Sequence, residues 1–154
     1  FANGIYFSSQ TGTDKTGADT STSVLNHYEQ GTFTPTISAE TGTINATGEV
    51  GRYTRIGNVC HISMNITCTG VSGASGAVLF GGLPFDSANI ASGFNTPLTV
   101  RYFDLQSAVE SVIGRLFNNA ANGRIEEQTG TSTGNLADNV KSGSIFNIAG
   151  SYLV

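Results

Sequence analysis

The chain has 154 residues, enough for one domain with a core of its own and no need of disulfide or metal staples. Charged residues make up 12% and hydrophobic residues 38%, whereas an ordinary soluble domain is about a quarter charged, so the surface must be polar and largely neutral. A net charge of −4 and a pI near 4.9 provide no basic stripe for neutralising phosphates, which argues against nucleic acid and anionic membranes as partners.

Twenty glycines, together with abundant Thr, Ser and Asn, favour turns and exposed strand faces over helices. No apolar run approaches the ~20 residues that span a bilayer, so no membrane insertion is expected. The first residue is Phe and no signal-peptide pattern follows, so the chain is expected to be the C-terminal piece of a longer protein. Residues 1–30 read as an apolar opening, Gly4-Ile5-Tyr6-Phe7, and a linker whose residues 8–23 are mostly Ser, Thr, Gly, Asp and Gln. Residues 31–154 read as a β domain, with short β-prone runs separated by Gly, Asn and Ser clusters.

In chain order, strands are expected over residues 32–38, 51–56, 60–68, 76–80, 94–103, 109–117, 123–128 and 144–154. The clearest is 60–68, where Cys60, Ile62, Met64, Ile66 and Cys68 occupy one parity and His61, Ser63, Asn65 and Thr67 the other. In the 94–103 run, Phe94, Leu98, Val100 and Tyr102 share a face, and Pro97 marks an edge or a bulge near its start. Residues 109–117 leave two readings open, because their apolar positions also recur at four-residue spacing, as in a short helix. Residues 129–141 read as a long polar loop before a docked final strand, in which Phe146, Ile148, Tyr152 and Val154 share one parity. These strands fit an all-β antiparallel sandwich of jelly-roll type.

The inventory for catalysis is thin. Cys60 and Cys68 lie roughly 26 Å apart along one extended strand, too far to pair, and read as buried thiols. His61 projects from the face opposite Cys60, which excludes a thiolate–imidazole pair. His27, in Asn26-His27-Tyr28-Glu29, has no second His or Cys spaced to complete a ligand set. Asp86 with Asp104 or Glu126 are the carboxylate pairings that a glycosidase would require across a cleft, and nothing in their spacing selects one. The glycine clusters Gly73-Ala74-Ser75-Gly76 and Gly81-Gly82 lack the lysine of a phosphate loop and read as turns. No enzyme activity, metal or cofactor is expected.

Three landmarks carry a resemblance. Tyr28-Glu29-Gln30-Gly31-Thr32-Phe33-Thr34-Pro35-Thr36 is followed by Gly51-Arg52-Tyr53-Thr54-Arg55-Ile56-Gly57-Asn58, and then by Gly81-Gly82-Leu83-Pro84-Phe85. In this order they resemble the C-terminal tip domain of bacteriophage tail-fibre and tailspike-like receptor-binding proteins. Phe33 stands where that family often has Trp, and Gln30 where it has an acid. Physical reasons for the landmarks are also at hand: Pro35 suits an edge strand, and Gly57-Asn58 between two β-prone runs makes a hairpin.

The resemblance implies a homotrimer at the distal end of a tail fibre in the virion, with a head fibre as the other placement, contacting a bacterial surface receptor, commonly a glycan. Side chains after residue 85 that suit such contacts are Tyr102, Asn118, Asn119, Asn122 and Arg124, since sugars are bound by hydrogen bonds and aromatic faces. A trimerisation cap or connector without a receptor, and a glycan-binding module of a depolymerising tailspike, are the alternatives.

Overall fold

The computed structural model describes residues 5–6, 24–25, 27–91, 93, 95–129 and 132–154. The expected linker at residues 8–23 lies outside the described residues, as does Phe94. The strands are β1 (Ile5–Tyr6), β2 (Val24–Leu25), β3 (Tyr28–Phe33), β4 (Thr36–Ile56), β5 (Val59–Gly81), β6 (Asn95–Phe103), β7 (Ser111–Phe117), β8 (Gly123–Thr129), β9 (Ser132–Gly134) and β10 (Ile145–Leu153). β1 pairs with β2, and the remaining strands form one antiparallel sheet in the order β3-β4-β5-β10-β6-β7-β8-β9.

That sheet closes on itself. β5 pairs with β10 along its first half, from Val59 opposite Leu153 to Thr67 opposite Ile145, and with β8 near its end, from Val78 opposite Ile125 to Phe80 opposite Gly123. The ring β5-β10-β6-β7-β8 is therefore a five-stranded barrel, not the two packed sheets of a jelly roll, although the expected all-β antiparallel architecture holds. A ring of five antiparallel pairings is possible only if one strand reverses direction on the way round. β5 does so: it runs one way beside β10 and the other way beside β8.

Glycines make this reversal possible. Gly73 and Gly76 in β5, and Gly42 and Gly48 in its partner β4, all take positive φ, a region that costs little only for glycine. The β4–β5 register also slips at four places between Ala39 and Val50, and such bulges bend and twist a ribbon. The cluster Gly73-Ala74-Ser75-Gly76, expected as a turn, is thus an arch within a continuous strand. The hairpin expected at Gly57-Asn58 does form, with Ile56 opposite Val59 and Gly57 at φ +59. Glycine in the first central position is the requirement of a type II′ turn.

The period-2 reading of residues 60–68 matches the burial: Cys60, Ile62, Met64, Ile66 and Cys68 all face the core. β10 is docked between β5 and β6 and buries Phe146, Ile148 and Tyr152 beside them. Residues 111–117 are a strand, and the helical spacing is coincidental: Gly114 and Leu116 face inward while Ile113 is exposed. Pro97 sits where β6 pairs only with β7, before β10 joins it at Thr99, so its missing N–H leaves no gap in the ladder.

The expected loop at 129–141 is a departure. It contains β9 and a 3₁₀ turn, Leu136–Asn139, whose Leu136 and Ala137, together with Val140, are buried against the core. Three scattered apolar residues in a polar stretch carry no period, and only packing beneath the β5 arch gives them a role.

Both cysteines are buried free thiols. Burial raises the thiol pKa of Cys60 and pushes that of Cys68 up to about 11, so the reactive thiolate is scarce at neutral pH. The native protein is expected to resist iodoacetamide at pH 8 and to take up two equivalents once unfolded. Rapid labelling of the folded protein, read by mass spectrometry, contradicts this.

Candidate functional site

The three landmark segments meet in one place. β3 and β4 pair with Gly31 opposite Tyr53 and Phe33 opposite Gly51. Each aromatic ring lies over the glycine across from it: a Cβ on Gly31 would come within 2.8 Å of Tyr53 Cε1, and one on Gly51 would run into the Phe33 ring. The Tyr53 ring also packs edge-on against Phe85, with centroids 5.5 Å apart, and the Arg55 guanidinium sits 4.9 Å from the centroid of the same ring. Gly82, at φ +72, lies against the backbone of Thr34 and the buried Pro35. Leu83 is buried and Tyr152 donates a hydrogen bond to the Phe85 carbonyl at 3.1 Å. These spacings therefore describe a packing unit that fixes the β3–β4 edge to the chain leaving β5.

Glu29 is the polar end of this unit. It accepts a hydrogen bond from the Tyr53 hydroxyl and contacts His27 Nε2 at 3.0 Å. The Tyr53 bond, then the His27 bond, hold the Glu29 carboxyl below its ordinary value of 4.5, and the same contact with Glu29 raises the Tyr53 phenol. A lowered carboxyl stabilises the fold above its unfolded-state value and loses that contribution as pH falls through the folded one. Below about pH 4.5 the melting temperature of the wild type is expected to fall more steeply than that of Glu29→Gln. Parallel acid limbs for the two proteins contradict the linkage.

A loop rim forms where β7 passes into β8. Asn119 takes φ +56, which Asn tolerates better than most residues, and Phe117 N–H donates to the Asn122 carbonyl at 3.0 Å. Segment 83–90 is clipped to this turn by the buried Ser87, whose hydroxyl donates to the Phe117 carbonyl at 2.6 Å and accepts from Ala120 N–H at 3.2 Å. Asn118 holds the loop further out, accepting from Ile90 N–H and donating to Asn89 Oδ1, both at 3.0 Å. The side chains of Asn119 and Asn122 remain exposed on the rim.

Of the five receptor candidates, the structure thus brings Asn118, Asn119 and Asn122 together. Tyr102 stands apart on β6, its hydroxyl donating to the Val109 carbonyl at 3.2 Å. Arg124 is turned onto the barrel flank, paired with Glu40, while its Nε lies 3.3 Å from Glu126 Oε1 without hydrogen-bond alignment. Glu126 is buried and also receives Arg115 at 3.3 Å and 3.4 Å. Ser87, whose partners lie some thirty residues on, and the pairing of Glu126 with Arg115 and Arg124 have no signal in the sequence, because the first depends on a distant contact and the second on the β7–β8 register.

The carboxylates considered for hydrolysis do not face one another. Asp104 is paired with Lys141 at 2.6 Å, and its carbonyl accepts from Ser144 just before β10 begins. Asp86 follows Phe85, near the other end of β10, and Glu126 is enclosed by arginines. His61 is exposed beside Ser151, at 2.6 Å. Among the described residues, no group of three or more His, Cys, Asp or Glu side chains converges as a metal site would require.

The barrel occurs in a tailspike. The chain superposes on the crystal structure of the Dettilon tailspike protein with a TM-score of 0.72 at 22% identity, over 81% of its own residues. It spans 23% of the length of that tailspike chain. At this identity the likeness is one of fold. No protein-family model matches the chain, and no curated protein matches it.

Proposed function

We propose that this chain is a non-catalytic module of a bacteriophage tail fibre or tailspike, assembled as a homotrimer at the distal end, that binds a glycan on the bacterial surface through its loop rim. The observation that carries the reading is the barrel held in common with a tailspike over 81% of the chain. The landmark segments support it, since those resembling a fibre tip domain pack as a single unit here.

Asn119 and Asn122 supply free amide donors and acceptors on the rim, and Ile90 beside them is 46% exposed. Asn118 acts as their support, because its amide is already engaged by the 89–90 loop. The wild type is expected to sediment as a trimer and to bind particular members of an array of bacterial capsular and lipopolysaccharide glycans. The double variant Asn119→Ala/Asn122→Ala should stay trimeric and lose about tenfold or more in affinity, the effect of removing hydrogen bonds at a desolvated contact. Release of reducing ends from any of these glycans overturns the non-catalytic part.

A structural cap without a receptor is the second reading, favoured by one feature. Tyr28, Ile56, Val59 and Leu153 are consecutive cross-strand neighbours on the outer face, and Tyr28, Ile56 and Leu153 are 66%, 42% and 40% exposed. An exposed apolar row of this kind is what subunit contact would cover. A trimer that binds no glycan supports the cap and sinks the receptor reading.

A further inference from the structure

The outer face of the sheet β3-β4-β5-β10-β6 has a composition unlike the rest of the chain. The strand registers place Gln30, Thr54, His61 and Ser151 in one cross-strand row. Thr32, Arg52, Ser63, Ala149 and Thr99 form the next, and Val50, Asn65, Asn147 and Arg101 the one after. None of these side chains is buried. Apart from Val50, Ala149 and the imidazole of His61 they are hydroxyls, amides and two arginines, with no Asp or Glu among them, in a protein with eleven acidic residues and a net charge of −4. Two acids adjoin these rows in sequence: Glu29, whose carboxylate is engaged by Tyr53 and His27, and Glu49, in the bulge beyond Val50.

Arg115 and Arg124 pair with carboxylates here, while Arg55 lies over the Phe85 ring and donates to the Gly57 carbonyl. Among the described residues, Arg52 and Arg101 make no ion pair. Arg101 is instead laid over the Phe103 ring, 4.3 Å from its centroid, which fixes its direction at little entropic cost. Three strand spacings and one two-residue step separate the two guanidinium-bearing positions, about 16 Å in all. Between them lie Ser63, Asn65 and Asn147, the last two joined by an amide–amide contact at 3.4 Å.

The geometry points to a second glycan surface on this sheet face, specific for an acidic polysaccharide that crosses the strands and presents carboxylates to Arg52 and Arg101. The inference rests on the reading of the chain as a glycan-binding module and adds to it the charge class of the ligand. Guanidinium groups bind carboxylates bidentately, the intervening hydroxyls and amides suit sugar hydroxyls, and the absence of acids removes the repulsion that the net charge would otherwise impose on an anionic polymer.

The test uses the glycan array described above, sorted into acidic and neutral polysaccharides, at low and high salt. The wild type should bind acidic members and release them as salt rises. Arg52→Gln/Arg101→Gln should weaken that binding on the order of tenfold or more while sedimenting as the wild type does, and Arg52→Lys/Arg101→Lys should retain part of it. Binding of neutral members alone, or acidic binding that the arginine changes leave unaltered, overturns the acidic face but leaves the glycan-binding module standing. No binding to any member sinks both. If the glutamine variant sediments as a smaller species, the face is a contact between copies of the chain, and the inference falls.

Discussion

Alanine in place of Gly123 is expected to destabilise the protein by about 3 kcal/mol, the upper range for forcing atoms into a filled interior. Gly123 stands where the barrel closes, opposite Leu116 of β7 on one side and Phe80 of β5 on the other. A Cβ there would lie 2.5 Å from Phe80 Cζ and closer still to the carbonyl oxygen of Arg115. Neither neighbour can yield, since Phe80 is buried and the carbonyl belongs to a strand paired on both edges. For a chain of this size the melting temperature should fall by roughly 6–12 °C. Gly73→Ala is the control: it carries a positive φ of +57, but an added Cβ would meet open space, so only the conformational cost of about 1–2 kcal/mol applies. Equal losses in the two variants, followed by circular dichroism, would mean that β5 and β8 do not form the closing pair.

Phe146→Ala is expected to cost about 3–5 kcal/mol, the sum of lost transfer energy and the cavity left behind. Its ring is fully buried on β10, between Ile66 on β5 and Tyr102 on β6. Phe103, one strand away and on the opposite face, is 39% exposed and touches Arg101. Its replacement by alanine should cost about 1 kcal/mol or less, the scale of a surface cation–π contact. The two aromatics thus act as a reporter of which sheet face is inside. If Phe103→Ala were the more damaging change in chemical denaturation, the assignment of the outer face, and with it the proposed acidic-glycan surface, would be reversed.

The strand faces were legible in the sequence because alternation is a local property. Cys60, Ile62, Met64, Ile66 and Cys68 declare their side of the sheet without reference to any partner, and Phe146, Ile148 and Tyr152 do the same. Gly57-Asn58 announced its hairpin for a similar reason, since the turn geometry is set by the residue that adopts positive φ. Local spacing left two readings at Ser111–Phe117, where a four-residue recurrence mimics a helix, and pairing with β6 and β8 settles the expected strand. The buried Leu136, Ala137 and Val140 gave no signal, because a single 3₁₀ turn is too short to show a period.

Sequence alone determined that the chain is all-β and which faces of its clearest strands turn inward, and it placed Tyr28, Gly31, Tyr53, Pro35 and Phe85 in segments that resemble those of fibre tip domains. It did not determine that those landmarks meet at the Tyr53–Phe85 contact, that Asn118 supports the rim while Asn119 and Asn122 face outward, or that Arg52 and Arg101 share an acid-free surface. Those facts depend on registers between strands tens of residues apart. Tertiary structure also decided the barrel itself. Closing a ring of five antiparallel pairings demands a strand that turns back on itself, and only the assembled sheet shows that the glycines of β5 bend the chain there instead of ending the strand.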